Sequence, residues 1–328
     1  MIKLLKNISP ASIIVLIIVM ILLRAPYFMF GKPLPTVYYS DPFSKLLFNH
    51  LHFITNHLFL NGLVTGLLHL LIALWLNKIA IDFNLLFKKT YLPAFFFIII
   101  SSLYVEFFTL DAVTFAIIFQ LLILVRLFRL YKTGNALSIA FDTGMYIAIA
   151  SLFYLSILPW IIMVFIALLT FRKFDSREYV TAIVGMLVPF SMVAFYYYWN
   201  NNLQGFYEFF LPIQRNGISL NMFTKRSDYL PLIPLILTML LAAHRIIENF
   251  YKNVVHVRKC FQVLAANIII ILCSFYIRPS FGIHHFLLLA LPLAVLLSYY
   301  FLVSKNKWIS EGLIWLFFAT SIVFQLLR

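Results

Sequence analysis

Residues 11–30 read ASIIVLIIVMILLRAPYFMF. From Ala11 to Leu23 only Ser12 is not apolar, and no charge appears before Arg24. A helix apolar on every side has no water-facing surface, and about 20 such residues cross the ~30 Å hydrocarbon layer of a bilayer. The stretch therefore predicts a membrane-spanning helix.

The same pattern recurs along the chain. Apolar windows cover 11–30, 58–76, 91–106, 111–128, 136–155, 157–171, 179–199, 230–247, 261–277, 284–303 and 309–326. Windows three and six are short, and only Ser156 to Pro159 separates 136–155 from 157–171. The expected fold is an all-α, polytopic transmembrane helix bundle of about eleven spans, with residues 1–328 forming a single integral membrane domain. Composition agrees: 63% of residues are apolar and 11% charged, against roughly 45–50% and 25% in soluble domains.

The net charge is +14. In a soluble chain this would point to nucleic acid; here it fits loops beside anionic lipid head groups. With the N-terminus cytoplasmic, 17 of the 25 basic residues fall on the cytoplasmic side. The other eight are Arg24, Lys32, Lys45, Arg215, Lys225, Arg226, Arg278 and Arg328. This bias predicts a multi-pass membrane protein, N-terminus inside and C-terminus outside. Lys3 and Lys6 resemble a signal-peptide start, but Arg24, Pro26 and aromatic residues follow without a small-residue cleavage site, so the first span is expected to stay. Cys260 and Cys273 form no paired or metal-binding spacing.

Two outer loops are long, about 31–57 and 200–229. In the first, Asp41-Pro42 has the residues favoured at a helix cap and first helical position. Apolar residues then recur at Phe43, Leu47, Leu51, Ile54 and Leu58, opposite Lys45, Asn49, His52 and Asn56. That spacing predicts an amphipathic helix in the membrane interface. Asp41 is either its cap or a carboxylate held for chemistry. His50, His52 and His57 are not spaced for a tight chelate, so no metal is assigned, and a divalent ion is not indicated. The second loop holds Glu208, Arg215, Lys225, Arg226 and Asp228 beside the apolar FYEFFL, a combination suited to lipid head groups, Arg215 among them.

Charges at membrane depth are the remaining candidates. Arg24 either snorkels to the outer interface or binds an anionic head group, for which its planar fork is suited. Glu106 and Asp111 flank a short outer turn and read first as solvated loop charges. Asp142 either snorkels to the cytoplasmic interface or pairs with Arg126 or Arg129. Arg278, Pro279, Gly282, His284 and His285 crowd the outer mouth of two adjoining spans, where an anion would meet free N–H groups and imidazoles. Pro292 is expected to kink the span that follows.

A basic residue, a turn, and then the start of LLLALPLAVLL (287–297) resemble a late span of GT-C superfold polyprenyl-phosphate-sugar glycosyltransferases. Arg24 near the end of a first span, then Asp41 and the helix from Pro42, are similar to the first outer loop of those enzymes. The resemblance covers about the first 60 residues and 275–303. Family members carry paired acids in that loop, where this chain has the single Asp41. Over its whole length the chain resembles an uncharacterised family of bacterial polytopic inner-membrane proteins, through KKTYLPAFFF (88–97), LFYLSILPWIIM (152–163) and RKFDSREYVTAIVGMLVPF (172–190).

The GT-C resemblance implies a sugar donor on a polyprenyl phosphate, used at the outer face. Asp41 would be the catalytic base, and Arg24, Arg278, His284 and His285 would hold the phosphate. Two other classes stay open. One is a non-enzymatic subunit of an envelope assembly complex with protein partners. The other is a flippase or transporter of lipid-linked intermediates, which needs polar residues inside the spans; His69, Gln120 and Asn267 are the main ones.

Overall fold

A computed structural model describes residues 5–6, 9–30, 41–131, 133–210, 226–275, 282–304 and 306–327. Among them there are helices and turns and no strand. The α-helices are α1 (Pro10–Phe30), α2 (Pro42–His50), α3 (His52–Asn56), α4 (Leu58–Asp82), α5 (Leu92–Ile100), α6 (Ala112–Phe128) and α7 (Leu137–Phe153). They continue as α8 (Ile161–Phe171), α9 (Ser176–Trp199), α10 (Leu203–Phe210), α11 (Leu232–Glu248), α12 (Val255–Ser274), α13 (Ala290–Val303) and α14 (Lys307–Leu327). Short 3₁₀ segments cover Val105–Phe108, Leu155–Trp160 and Ile283–Leu289.

Six helical segments are long and apolar enough to cross a membrane: Pro10–Met29, Leu58–Asp82, Ser176–Trp199, Val255–Ser274, Ile283–Val303 and Trp308–Leu327. Shorter apolar helices cover Ala112–Phe128, Leu137–Phe153 and Leu155–Phe171. Large apolar side chains point outward from α1 (Ile14, Ile18, Ile21) and from α9 (Val180, Leu187, Met192, Phe195). An exposed apolar surface of this extent suits lipid rather than water. The chain thus has the make-up of an all-α membrane protein.

At the centre lies α5, LPAFFFIII, buried on every side. It packs against α13 and α4, and α13 is itself buried over most of its length. The closest packing is between α7 and α9. A Cβ on Gly144 would collide with the Ala182 carbonyl, and one on Gly185 with the Phe141 carbonyl. These two glycines let the helix backbones touch.

Several local expectations are corrected. The helix expected from Pro42 to the start of the next span is two short helices, broken at Leu51 (φ −89°, ψ 11°). Window 91–106 is one short helix, then a turn at Ser101–Tyr104 and the 3₁₀ segment Val105–Phe108. Pro292 lies in the first turn of α13, just after the change from the 3₁₀ segment Ile283–Leu289 to α-helix. Of the two long loops expected on the outer side, 31–40 and 211–225 lie outside the described residues.

The bundle has two polar ends. At one, Arg126 pairs with Asp142 (3.0 Å), as the sequence suggested, and Arg172 with Glu178 (3.0 Å). Arg172 also donates to the Thr133 carbonyl. The opposite end gathers the end of α1, the starts of α4 and α6, the end of α7 and the segment from Ile283. The candidate residues that are described lie there.

Candidate functional site

The segment Glu106–Asp111 organises this end. The Leu110 N–H donates to Asn61 Oδ1 of α4 (2.6 Å). Asp111 uses both carboxylate oxygens: Oδ1 accepts from the Ala112 N–H (2.6 Å), and Oδ2 faces His284 Nδ1 (3.4 Å). Glu106 and Asp111 are both buried, which corrects the reading of them as solvated loop charges. The Tyr104 hydroxyl donates to the carbonyl of Asp228, another buried acid (3.0 Å).

Arg24 does not snorkel. Its side chain is buried, with the residue 2% exposed. The guanidinium lies 4.8 Å from the Phe108 ring centroid, a cation–π distance. Nη2 is 2.7 Å from His69 Nδ1, and Nη1 is 3.5 Å from the Gly62 carbonyl. All eleven acidic residues are described, and none pairs with Arg24. This contact rests on α4, where Asn61, Gly62, Thr65, Gly66 and His69 are all buried on one side. At Gly66 a Cβ would come within 3.1 Å of Arg24 Nη1.

Asp41 sits at the cap position of α2, but its side chain accepts no hydrogen bond from that helix. Only its backbone takes part: the Asp41 carbonyl accepts the first helical bond from the Lys45 N–H (2.8 Å) and a bond from the Ser44 hydroxyl (2.9 Å). The residue is 1% exposed. Beside it, Phe43, Leu46, Leu47, His50 and Phe153 line an open apolar groove of about 280 Å³. Phe43 meets Phe153 edge-on, and Phe153 stacks on Phe115 of α6. Aromatic packing thus ties Asp41 to the α6–α7 corner that also carries Asp111.

His285 is fully buried and both ring nitrogens are engaged. Nε2 donates to the Ile271 carbonyl (2.9 Å), so Nδ1 accepts from the Tyr154 hydroxyl (2.9 Å). A carbonyl can only accept, which fixes this tautomer. His285 is a structural tie between α7 and α12 and has no ring nitrogen spare for a phosphate. His284, next to it, faces Asp111 and is half-buried. Arg215 and Arg278, the other two expected phosphate contacts, lie outside the described residues.

Inside the bundle, Gln120 Nε2 donates to Asn267 Oδ1 (3.0 Å) and to the Leu288 carbonyl (3.2 Å). His69 is engaged by Arg24. Each of these polar residues thus has at least one partner within the protein, while Gln120 Oε1 and His69 Nε2 have none among the described residues. Among the described residues no group of three metal-ligating side chains occurs. His50 contacts its own helix at the Leu46 carbonyl (2.8 Å), and His52 contacts Asn56.

Sequence reasoning missed the roles of Asn61, His69 and Tyr154. A signal for the first two was present: Asn61, Gly62, Thr65, Gly66 and His69 stand at offsets 0, 1, 4, 5 and 8, one stripe of a helix.

Residues 42–328 match the model of a family described as a family of unknown function, DUF6427. No curated protein and no solved structure matches the chain.

Proposed function

We propose, for a chain that belongs to the family of unknown function DUF6427, that it is a membrane glycosyltransferase using a sugar carried on a polyprenyl phosphate. One observation supports this reading: buried Asp41 precedes the helix whose Phe43, Leu46 and Leu47 line an open apolar groove, at the bundle end that also holds Arg24, which pairs with no acidic residue. A prenyl chain suits a groove lined by Phe43, Leu46, Leu47 and Phe153. Arg24 suits its phosphate. We read the chain as crossing the inner membrane about eleven times, with this end facing out.

In the transfer step, the acceptor hydroxyl attacks the anomeric carbon of the donor sugar. The bond from that carbon to the phosphate oxygen breaks, and polyprenyl phosphate leaves with the electron pair. Asp41 takes the hydroxyl proton, which requires hydrogen-bond reach to the acceptor. Cations near the leaving phosphate stabilise its growing charge. Arg278 and His284 are the further candidates for that contact, and Arg215 for the head group. No step calls for a metal.

The test is a chase in membrane vesicles preloaded with a radiolabelled polyprenyl-phosphate sugar. Vesicles holding the native chain should move label from lipid to a non-lipid acceptor. Asp41→Asn should slow this by about 10²-fold or more, the range of a lost general base. An equal rate in both would remove Asp41 as base.

A second reading, a non-enzymatic subunit of an envelope assembly, is favoured by the full engagement of His285 and Asp111 within the protein. It predicts that label never leaves the lipid in a chain-dependent way.

A further inference from the structure

Three side chains around Arg24 carry polar atoms that are buried and bonded to nothing among the described residues: Arg24 Nε, His69 Nε2 and the Tyr27 hydroxyl. Their chemistry can be fixed. A guanidinium has only donors, so His69 Nδ1, 2.7 Å from Arg24 Nη2, must be the acceptor. The proton of neutral His69 then lies on Nε2. The unbonded groups are therefore the Arg24 Nε–H, the His69 Nε2–H and a Tyr27 hydroxyl able to donate. Together they offer N–H and O–H donors and one positive charge.

The two helices pack closely around this cluster. Tyr27 lies one turn beyond Arg24 on α1. On the facing helix α4, a Cβ at Gly62 would come within 3.3 Å of the Tyr27 ring and 2.9 Å of Phe28, and one at Gly66 would press on Arg24. Glycine at both positions lets α1 lie close against α4. The phosphate contacts expected from sequence did not include Tyr27 or His69.

We propose that Arg24, His69 and Tyr27 form a buried oxyanion site between α1 and α4, and that its ligand is a phosphate group. A cluster of donors with a net positive charge suits an acceptor-only, anionic ligand, and disfavours a cation or a neutral sugar. The outer edge of this helix pair is apolar: Phe28, Phe59, Leu63 and Leu67 are all exposed. A phosphate reaching the site with a hydrocarbon chain attached would leave that chain against these residues. The inference shares Arg24 with the transferase reading and rests on it only for the prenyl nature of that chain. Because it concerns binding, it survives if Asp41 proves not to be a base.

The test uses the purified full-length chain in detergent, with thermal unfolding followed against added farnesyl phosphate, inorganic phosphate or farnesol. Farnesyl phosphate should raise the midpoint saturably, and farnesol should not. A rise with inorganic phosphate equal to that with farnesyl phosphate would mark a free anion as occupant of the same site. His69→Phe and Tyr27→Phe should each weaken the response about tenfold, the scale of one hydrogen bond to a charged group. Arg24→Lys should abolish it, and the two milder variants keep the test open if that one does not fold. The site is disproved if neither phosphate compound shifts the native midpoint. It is equally disproved if farnesol acts as strongly as farnesyl phosphate, or if all variants respond like the native chain.

Discussion

Arg24 is a buried charge in the last third of an apolar helix. A charge at the centre of a spanning helix costs about 2.5–3.5 kcal/mol on insertion scales, and one nearer its end costs less. The structure offsets this with His69 and the face of Phe108, and with no carboxylate. Arg24 itself was visible in the sequence as the charge that ends an apolar run. Its partner His69, 45 positions away, was not, because the pairing depends on how α4 is rotated against α1. Asn61 is a second residue whose weight appears only in three dimensions. Its side-chain oxygen is the acceptor for the buried Leu110 N–H. Asn61→Ala should therefore lower stability by about 1–3 kcal/mol, the cost of a buried donor left without a partner. Chemical unfolding in detergent would measure this, and an unchanged midpoint would mean the Leu110 contact carries no weight.

At the scale of elements, the α7–α9 pair makes the sharpest prediction. Gly144 and Gly185 each face a backbone carbonyl of the other helix, and a carbonyl cannot swing aside as a side chain can. Gly144→Ala or Gly185→Ala should push the helices apart and destabilise the protein by at least the ~1–3 kcal/mol of an overpacked core. Ala at Gly134, where no atom lies within 4 Å of the added Cβ, is the matched control and should be silent. A drop in unfolding midpoint for the first two alone supports the packing. Hydropathy located these elements but not their inner form. It registers where the chain is apolar, and an α-helix and a 3₁₀ turn are equally apolar. The segment Ile283–Leu289 therefore reads as an ordinary span start, and Leu155–Trp160 as the boundary between two apolar windows. The break at Leu51 was hidden for a related reason: the apolar spacing continues across it while the backbone does not.

For the whole molecule, the all-α membrane character was legible from composition alone, since no water-facing surface could be built from this chain. The end of the bundle that carries Asp41, Arg24, Asp111 and His284 was legible in part, because loop charges marked it. How those side chains are spent was not, because His285 with Tyr154, and Asp111 with His284, are pairings between distant segments. The proposed orientation can be tested with single cysteines in a chain lacking Cys260 and Cys273. Asn202→Cys should react with a membrane-impermeant thiol reagent in intact cells, and Lys173→Cys only after permeabilisation; the reverse pattern would invert the topology. The central claim is that this end transfers a sugar from a polyprenyl phosphate with Asp41 as base. Its most direct test is the cellular profile of lipid-linked sugars and glycoconjugates in a deletion strain carrying either the native chain or Asp41→Asn at equal membrane level. The account predicts that deletion accumulates a lipid-linked sugar and depletes a glycoconjugate, that the native chain restores both, and that Asp41→Asn restores neither. Full restoration by Asp41→Asn, or a deletion that leaves both pools unchanged, would contradict it.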